Sequence, residues 1–421
     1  GNIVGFNTVR GHQTVFVAHP DMIKAVLSGH HMKFQKTPDI NRLKFFLGEG
    51  LYTSQGSKWS LHRQLAAPGF QAELMNSLIP NFNRQSQRLV SYWTSNINKL
   101  RKVQPSANSI PVHLKTDLHS LIMSAMCYSC FSYDFQASNN RDAISTAFET
   151  IREEVGMRCI EPYEWWSLLY PARRQAAEHA KHVFQTLLDE VISQRLLDIV
   201  GLHRERDLLD WLVECGDGMR GVQPSSPSSS GASSAGPVKL SRTEIRDHLS
   251  TFLLAGHEAT TAALLWTIYE LCMNPTVQTR CQAEIDNILM QDGVRRTYLR
   301  SEDVNKLSYL VQVLKEAMRL HPVSESIART CGEDCAVGAY RLKQGTTVVV
   351  STLAVHTHPD YWTDALLFKP ERFSRENIRA TVKHPYQYLP FSAGPRSCVG
   401  QRLGLMEVLV VLASLLGQFN F

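Results

Sequence analysis

No apolar run in the chain approaches the ~18 residues that a membrane-spanning helix needs. The sequence opens on Gly1 rather than Met and shows no basic-then-apolar leader; it stops at Phe421 just after a strongly apolar, helix-like run. Both ends read as cut, so the expectation is a domain truncated at both ends. Neither sign of charge dominates: 44 basic residues face 39 acidic ones, for a net charge of +5. That balance gives no argument for a nucleic-acid partner. A disulfide framework is also missing. The nine cysteines are odd in number and scattered, which fits a reducing compartment better than a secreted scaffold. Cys127 and Cys130 make a CxxC, yet no second pair and no His pair follows at zinc spacing, and Cys331 with Cys335 completes no metal set either. Zinc is not expected.

What is present is ordinary for a globular chain: 43% hydrophobic and 20% charged residues over a length of 421, beyond the usual size of a single compact core. A strand-like run, Thr14–Val17, lies in a first stretch of short runs and turns. From about Asn81 the apolar pattern turns to 3.6-residue spacing and stays helical for most of the chain. Residues 216–237 are rich in Gly, Ser and Pro and read as a disordered surface loop. A long helix is expected from Ser241 to Met273, with Ser241 and Glu244 forming a capping box and Pro275 ending it. A second is expected from Ser301 to Leu320, stopping before Pro322. Strand-like runs follow at Ala336–Leu342 and Thr346–Ser351, then a Pro- and Gly-punctuated loop over 384–397 and a last helix starting near Cys398. The expectation is a mainly α chain with a small β region.

The strongest signal is the loop Phe391-Ser-Ala-Gly394-Pro-Arg396-Ser-Cys398-Val-Gly400. It resembles the haem-binding signature FxxGxRxCxG of the cytochromes P450, and each fixed position of that pattern is met. The resemblance implies that Cys398, as thiolate, ligates the iron of a haem b and pushes electron density onto it. A free thiol titrates near about 8.5, so the anion must be stabilised, and the N-terminus of the helix that follows is expected to do this. Gly394 would allow the turn and Gly400 close approach to a flat macrocycle. Phe391 would shield the sulfur, and Arg396 would pair with a propionate.

Other motifs follow in family order. Glu316-Ala-Met-Arg319 puts both charged side chains on one helix face and resembles the ExxR motif; Arg372, in Pro370-Glu-Arg-Phe373, would complete a buried structural network. Trp59-Ser-Leu-His-Arg63 resembles WxxxR, whose Trp59 and Arg63 would hold a propionate, and Arg329 sits where the family often adds another such Arg. Ala255-Gly256-His257-Glu258-Ala259-Thr260 resembles the oxygen-binding AGx(D/E)T segment. Ala255 and Gly256 would let the helix loosen over the haem, and Glu258 would start a proton relay. Ala259 stands where the family's Thr belongs, and Thr260 comes one residue late, about 100° further round the helix. His257 reads as a packed or solvated residue. Tyr163, Trp165, Trp166 and Tyr170 read as core aromatics, and Arg204 and Arg206 near Asp207 as a solvated turn.

The resemblance implies the cytochrome P450 fold: a helical triangular body with a small β-rich lobe, a single catalytic domain over residues 1–421. Segments 46–70 and 390–401 are closest in wording to the eukaryotic fatty-acid ω-hydroxylases. The implied activity is monooxygenation of a lipophilic substrate (a fatty acid, sterol or similar) with dioxygen. NADPH would supply electrons through cytochrome P450 reductase or a ferredoxin. A missing N-terminal anchor would place the protein on the cytoplasmic face of the endoplasmic reticulum membrane. Two rivals stand beside it: a haem-thiolate isomerase or dehydratase acting on peroxides, which Ala259 invites, and a non-enzymatic haem-binding protein.

Overall fold

The computed structural model describes residues 3–7, 13–106, 109–135, 141–160, 168–197, 207–217 and 240–421. The chain divides into two compact units: Gly1–Pro38, Ile79–Ile122 and Glu258–Phe421 make one, Asp39–Leu78 and Met123–His257 the other.

The first unit carries the sheets. Strands β1 (Ile3–Asn7), β2 (Gln13–Val17), β3 (Phe34–Gln35), β6 (Ser326–Cys331) and β9 (Thr347–Ser351) form one sheet in the order β1-β2-β9-β6-β3. β2 runs parallel to β9 and the other pairs are antiparallel. Period-two alternation sets its buried face: Val15, Val17, Val348 and Val350 point into a cluster with Phe34, Cys331 and Leu342. Two hairpins, β4 (Met290–Gln291) with β5 (Val294–Arg295) and β7 (Cys335–Val337) with β8 (Tyr340–Leu342), stand apart. The run expected as one strand over 336–342 is therefore a hairpin, because Gly338 at φ +59° turns the chain between its halves. β1, β3 and β6 carry too few apolar alternations to be seen in the sequence.

Ten helices of eight or more residues are described: α1 (Gly56–Ala66), α2 (Ile79–Val103), α3 (Leu114–Phe131), α4 (Arg141–Ile160), α5 (Pro171–Leu197), α6 (Leu208–Asp217), α7 (Arg242–Met273), α8 (Pro275–Leu289), α9 (Ser308–Leu320) and α10 (Gln401–Leu416). α2 shows why it forms: Phe82, Ser86, Leu89, Val90 and Trp93 recur at helical spacing on its buried face, and α10 packs against it. The capping box at the head of α7 is present, with the Ser241 amide donating to Glu244 Oε2 at 2.9 Å. Residues 20–77 hold several short helices besides α1, where turns had been expected.

The single helix expected from Ser301 to Leu320 is broken. A short turn, Ser301–Val304, is followed by Leu307 at ψ 58°, and α9 starts afresh at Ser308. The cause is a cap from another helix: Glu284 of α8 accepts from the amides of Tyr309 at 2.7 Å and Leu310 at 2.9 Å. Residues 216 and 217, expected in the disordered loop, end α6; the rest of that loop lies outside the described residues, as do Tyr163, Trp165, Trp166, Arg204 and Arg206. Tyr170 is exposed rather than core. Asp207 is not solvated: it is buried and receives two bonds from Arg195, at 2.7 and 2.8 Å.

Candidate active site

The cysteine loop is held from three sides. The Cys398 amide donates to the Phe391 carbonyl at 3.0 Å, closing the loop, and the Ser397 amide donates to the Gly394 carbonyl at 3.0 Å inside it. Gly394 sits at φ +74°, and a Cβ there would lie 2.1 Å from the Leu27 carbonyl oxygen, so both conformation and space demand glycine. The Leu389 amide, at the base of the loop, donates to Nε2 of buried His356 at 2.7 Å. Cys398 itself is exposed, and Phe391 and Arg396 are half-buried. α10 begins at Gln401, three residues later than expected, because Gly400 is its N-cap; the sulfur therefore stands before the helix rather than in its first turn.

Three cations gather near this loop. Lys36, just past β3, is pulled down to about 7, first by burial and then by the charges of Arg396 and Arg329. Arg329 is half-buried on β6. Three cations at one place, one of them a buried lysine, suit a ligand bearing more than one negative charge. With an accessible thiol on a glycine-shaped loop beside it, this donor set fits a haem with its two propionates. Lys36 escaped the sequence reading because only the fold brings it to Arg329 and Arg396.

The ExxR residues form the network expected of them. Arg319 reaches Glu316 with two bonds of 2.8 Å, and Arg372 Nε donates to Glu316 Oε1 at 3.1 Å. Glu316 and Arg319 have no exposed surface. The remaining guanidinium protons go to backbone carbonyls: Arg319 to His356 at 2.9 Å and Ala365 at 2.6 Å, Arg372 to Asp364 at 2.7 Å. His356 thus touches the network through its carbonyl and the cysteine loop through its ring. Burial, then the Arg319 charge, lowers its imidazole to about 3, so the ring stays neutral and can accept.

α7 runs unbroken through Ala255–Thr261, without the loosening expected there. Gly256 makes room for a neighbour: a Cβ would meet the Met126 methyl at 2.4 Å. His257 is packed, edge-on to Phe148 at 4.8 Å. Ala255 is exposed and Ala259, one turn on, is half-buried, so this stretch of a largely buried helix opens a face that carries two small apolar side chains with half-buried Glu258 beside them. Thr260 is buried on another side, where its hydroxyl donates to Glu407 Oε2 of α10 at a long 3.5 Å. Glu407 has no exposed surface, burial pushes its carboxyl up to about 8, and its Oε1 has no hydrogen-bond partner among the described residues. The signal for it in the sequence is a lone Glu in the apolar helix Gln401–Leu416. Trp59 and Arg63, one turn apart on α1, are half-buried in the second unit.

The cytochrome P450 family profile matches residues 1–421. The chain belongs to the cytochrome P450 family. Cytochrome P450 4V2 of Mus musculus is 32% identical over 395 residues, 90% of this chain and 69% of that protein. Cytochrome P450 4F12 of Homo sapiens is 27% identical over 97% of this chain and 75% of that protein. In three dimensions the chain is similar to the haem domain of cytochrome P450DA, with a TM-score of 0.81 over 99% of this chain and 83% of that one, at 24% identity. This cytochrome P450 is a haem-thiolate monooxygenase that takes a cysteine thiolate as iron ligand and receives its electrons from a redox partner. The peroxide isomerase that Ala259 invited is not favoured by these relatives. Among the described residues, no helix is long and apolar enough to cross a membrane.

Proposed function

We propose that this P450 hydroxylates a fatty acid or similar lipophilic substrate, with residues 1–421 as its catalytic domain. The observation that carries the reading is the open face at Ala255 and Ala259. The methyl side chains of Ala255 and Ala259 offer a substrate no hydrogen bond, so they suit an alkyl chain. The wording of segments 46–70 and 390–401 and the similarity to cytochromes P450 4V2 and 4F12 support the same class.

When bound, the haem activates dioxygen with two electrons, so that one oxygen atom enters the substrate and the other leaves as water. Cys398 would hold the iron, with Phe391 shielding the sulfur and Gly394 and Gly400 shaping the loop. Arg396, Arg329 and Lys36 would hold propionates, helped by Trp59 and Arg63. Glu316, Arg319 and Arg372 would keep the loop's foundation rigid. Glu258 would pass protons toward the open face. NADPH would supply electrons through cytochrome P450 reductase or a ferredoxin, on the cytoplasmic face of the endoplasmic reticulum membrane.

The test has two steps. Reduced protein under carbon monoxide is expected to give the red-shifted thiolate band, lost in Cys398→Ala and kept in Cys127→Ala. A panel of fatty acids and sterols is then scored for NADPH-dependent product under isotopically labelled dioxygen. A fatty acid carrying one labelled oxygen supports the reading. A thiolate band with turnover of hydroperoxides alone, and no labelled product, would overturn it.

A further inference from the structure

Cys331 ends β6 and Cys335 begins β7, and the turn between them, Gly332-Glu333-Asp334, brings their sulfurs to 3.7 Å. The backbone on both sides of the turn is tied down. The Cys331 amide donates to the Thr346 carbonyl at 2.9 Å, and the Gly345 amide returns a bond to the Cys331 carbonyl at 2.8 Å. Asp334 ties the turn to the following hairpin, accepting from the Gln344 amide and from Lys343 Nζ, each at 2.8 Å. Cys335 is paired with Leu342 across β7 and β8. Both ends of the turn are therefore stitched to the segment 342–346.

The two thiols differ in kind. Cys331 is buried in the core under the sheet, while Cys335 is partly accessible. Beside Cys335 lies the Lys33 ammonium, itself paired with Glu333 at 2.7 Å and within electrostatic reach of that sulfur. Burial pushes the Cys331 thiol up to about 12, so it stays protonated until it reacts.

We propose that Cys331 and Cys335 are a redox modification site, a dithiol that a hydroperoxide closes to an intrachain disulfide. Cys335 thiolate attacks one peroxide oxygen; the O–O bond breaks, the leaving hydroxide takes a proton, and Cys335 becomes a sulfenic acid. Cys331 sulfur then attacks that sulfur. The S–O bond breaks, the departing hydroxide takes the Cys331 proton, and water leaves. The two thiols lose two electrons and the peroxide gains them. The sulfurs must close from 3.7 Å to about 2.05 Å, a movement a rotation of Cys335 can supply. The site is independent of the substrate reading above.

The holoprotein is treated with hydrogen peroxide, free thiols are alkylated, and tryptic peptides are weighed. Cleavage after Arg329 and Arg341 leaves Thr330–Arg341 carrying both cysteines and no other. The expected product is this peptide, unalkylated and two hydrogens lighter, restored by dithiothreitol. Cys331→Ala should trap Cys335 as a sulfenic acid that reacts with dimedone, and Cys335→Ser should leave Cys331 alkylatable after the same exposure. The proposal is overturned if wild-type Cys335 passes to sulfinic acid while Cys331 stays free. It is equally overturned if both thiols of the peptide are still fully alkylated when other cysteines have oxidised.

Discussion

Glu407 is a fully buried carboxyl whose protonation differs between the folded and the unfolded chain. In water a Glu carboxyl titrates near 4.5; inside α10 burial lifts it to about 8, against a small opposing bond from Thr260. The folded protein therefore holds a proton there at neutral pH that the unfolded chain does not. Such a group stabilises the fold fully below the unfolded value and loses its contribution as pH rises through the folded one. Unfolding by denaturant, followed from pH 4.5 to 8, should show stability from this group falling across that window. Glu407→Gln, neutral at every pH and of the same shape, should flatten that slope and be as stable as wild type at the acid end. An unchanged slope in Glu407→Gln would assign it to other groups.

At the scale of elements, the Glu316 network joins four pieces of chain: α9, the carbonyls of His356 and Ala365, and Arg372. Glu316→Ala leaves two guanidinium groups buried without a carboxylate, a loss of about 3–5 kcal/mol. Because His356 also holds the Leu389 amide, the damage should travel to the cysteine loop. The expected outcome is a lower thermal midpoint together with weak haem loading. A variant as stable and as loaded as wild type would reduce the network to an ornament of the surface, against its burial. These residues were legible in advance because ExxR and the cysteine loop are short, fixed spacings. The break before α9 was not, because Glu284 caps it from a different helix. His356 and Lys36 are hidden for the same reason: their partners lie 33 residues or more away, and only folding brings them together.

Across the whole molecule, the mainly helical class and the long helix α7 followed from apolar periodicity, while three strands of the main sheet did not, since two- to six-residue strands carry little pattern. The feature that bears on turnover is the register of α7. The family's relay position holds Ala259, on the open face and without a polar atom; the neighbouring hydroxyl of Thr260 is turned to Glu407 instead. If Glu258 starts the relay as proposed, proton delivery at the open face falls to it and to water or a substrate hydroxyl. NADPH consumption should be poorly coupled to product with substrates that lack a well-placed polar group. Ala259→Thr puts a hydroxyl on the open face and should raise coupling and lower peroxide release, by up to about 10²-fold. Thr260→Ala should leave coupling near wild type, because its hydroxyl serves Glu407 and not the open face, while shifting the pH slope of stability assigned to Glu407. The reverse pattern, coupling lost in Thr260→Ala and unmoved in Ala259→Thr, would place the relay at Thr260 and require α7 to turn by about 100° between the resting and working protein.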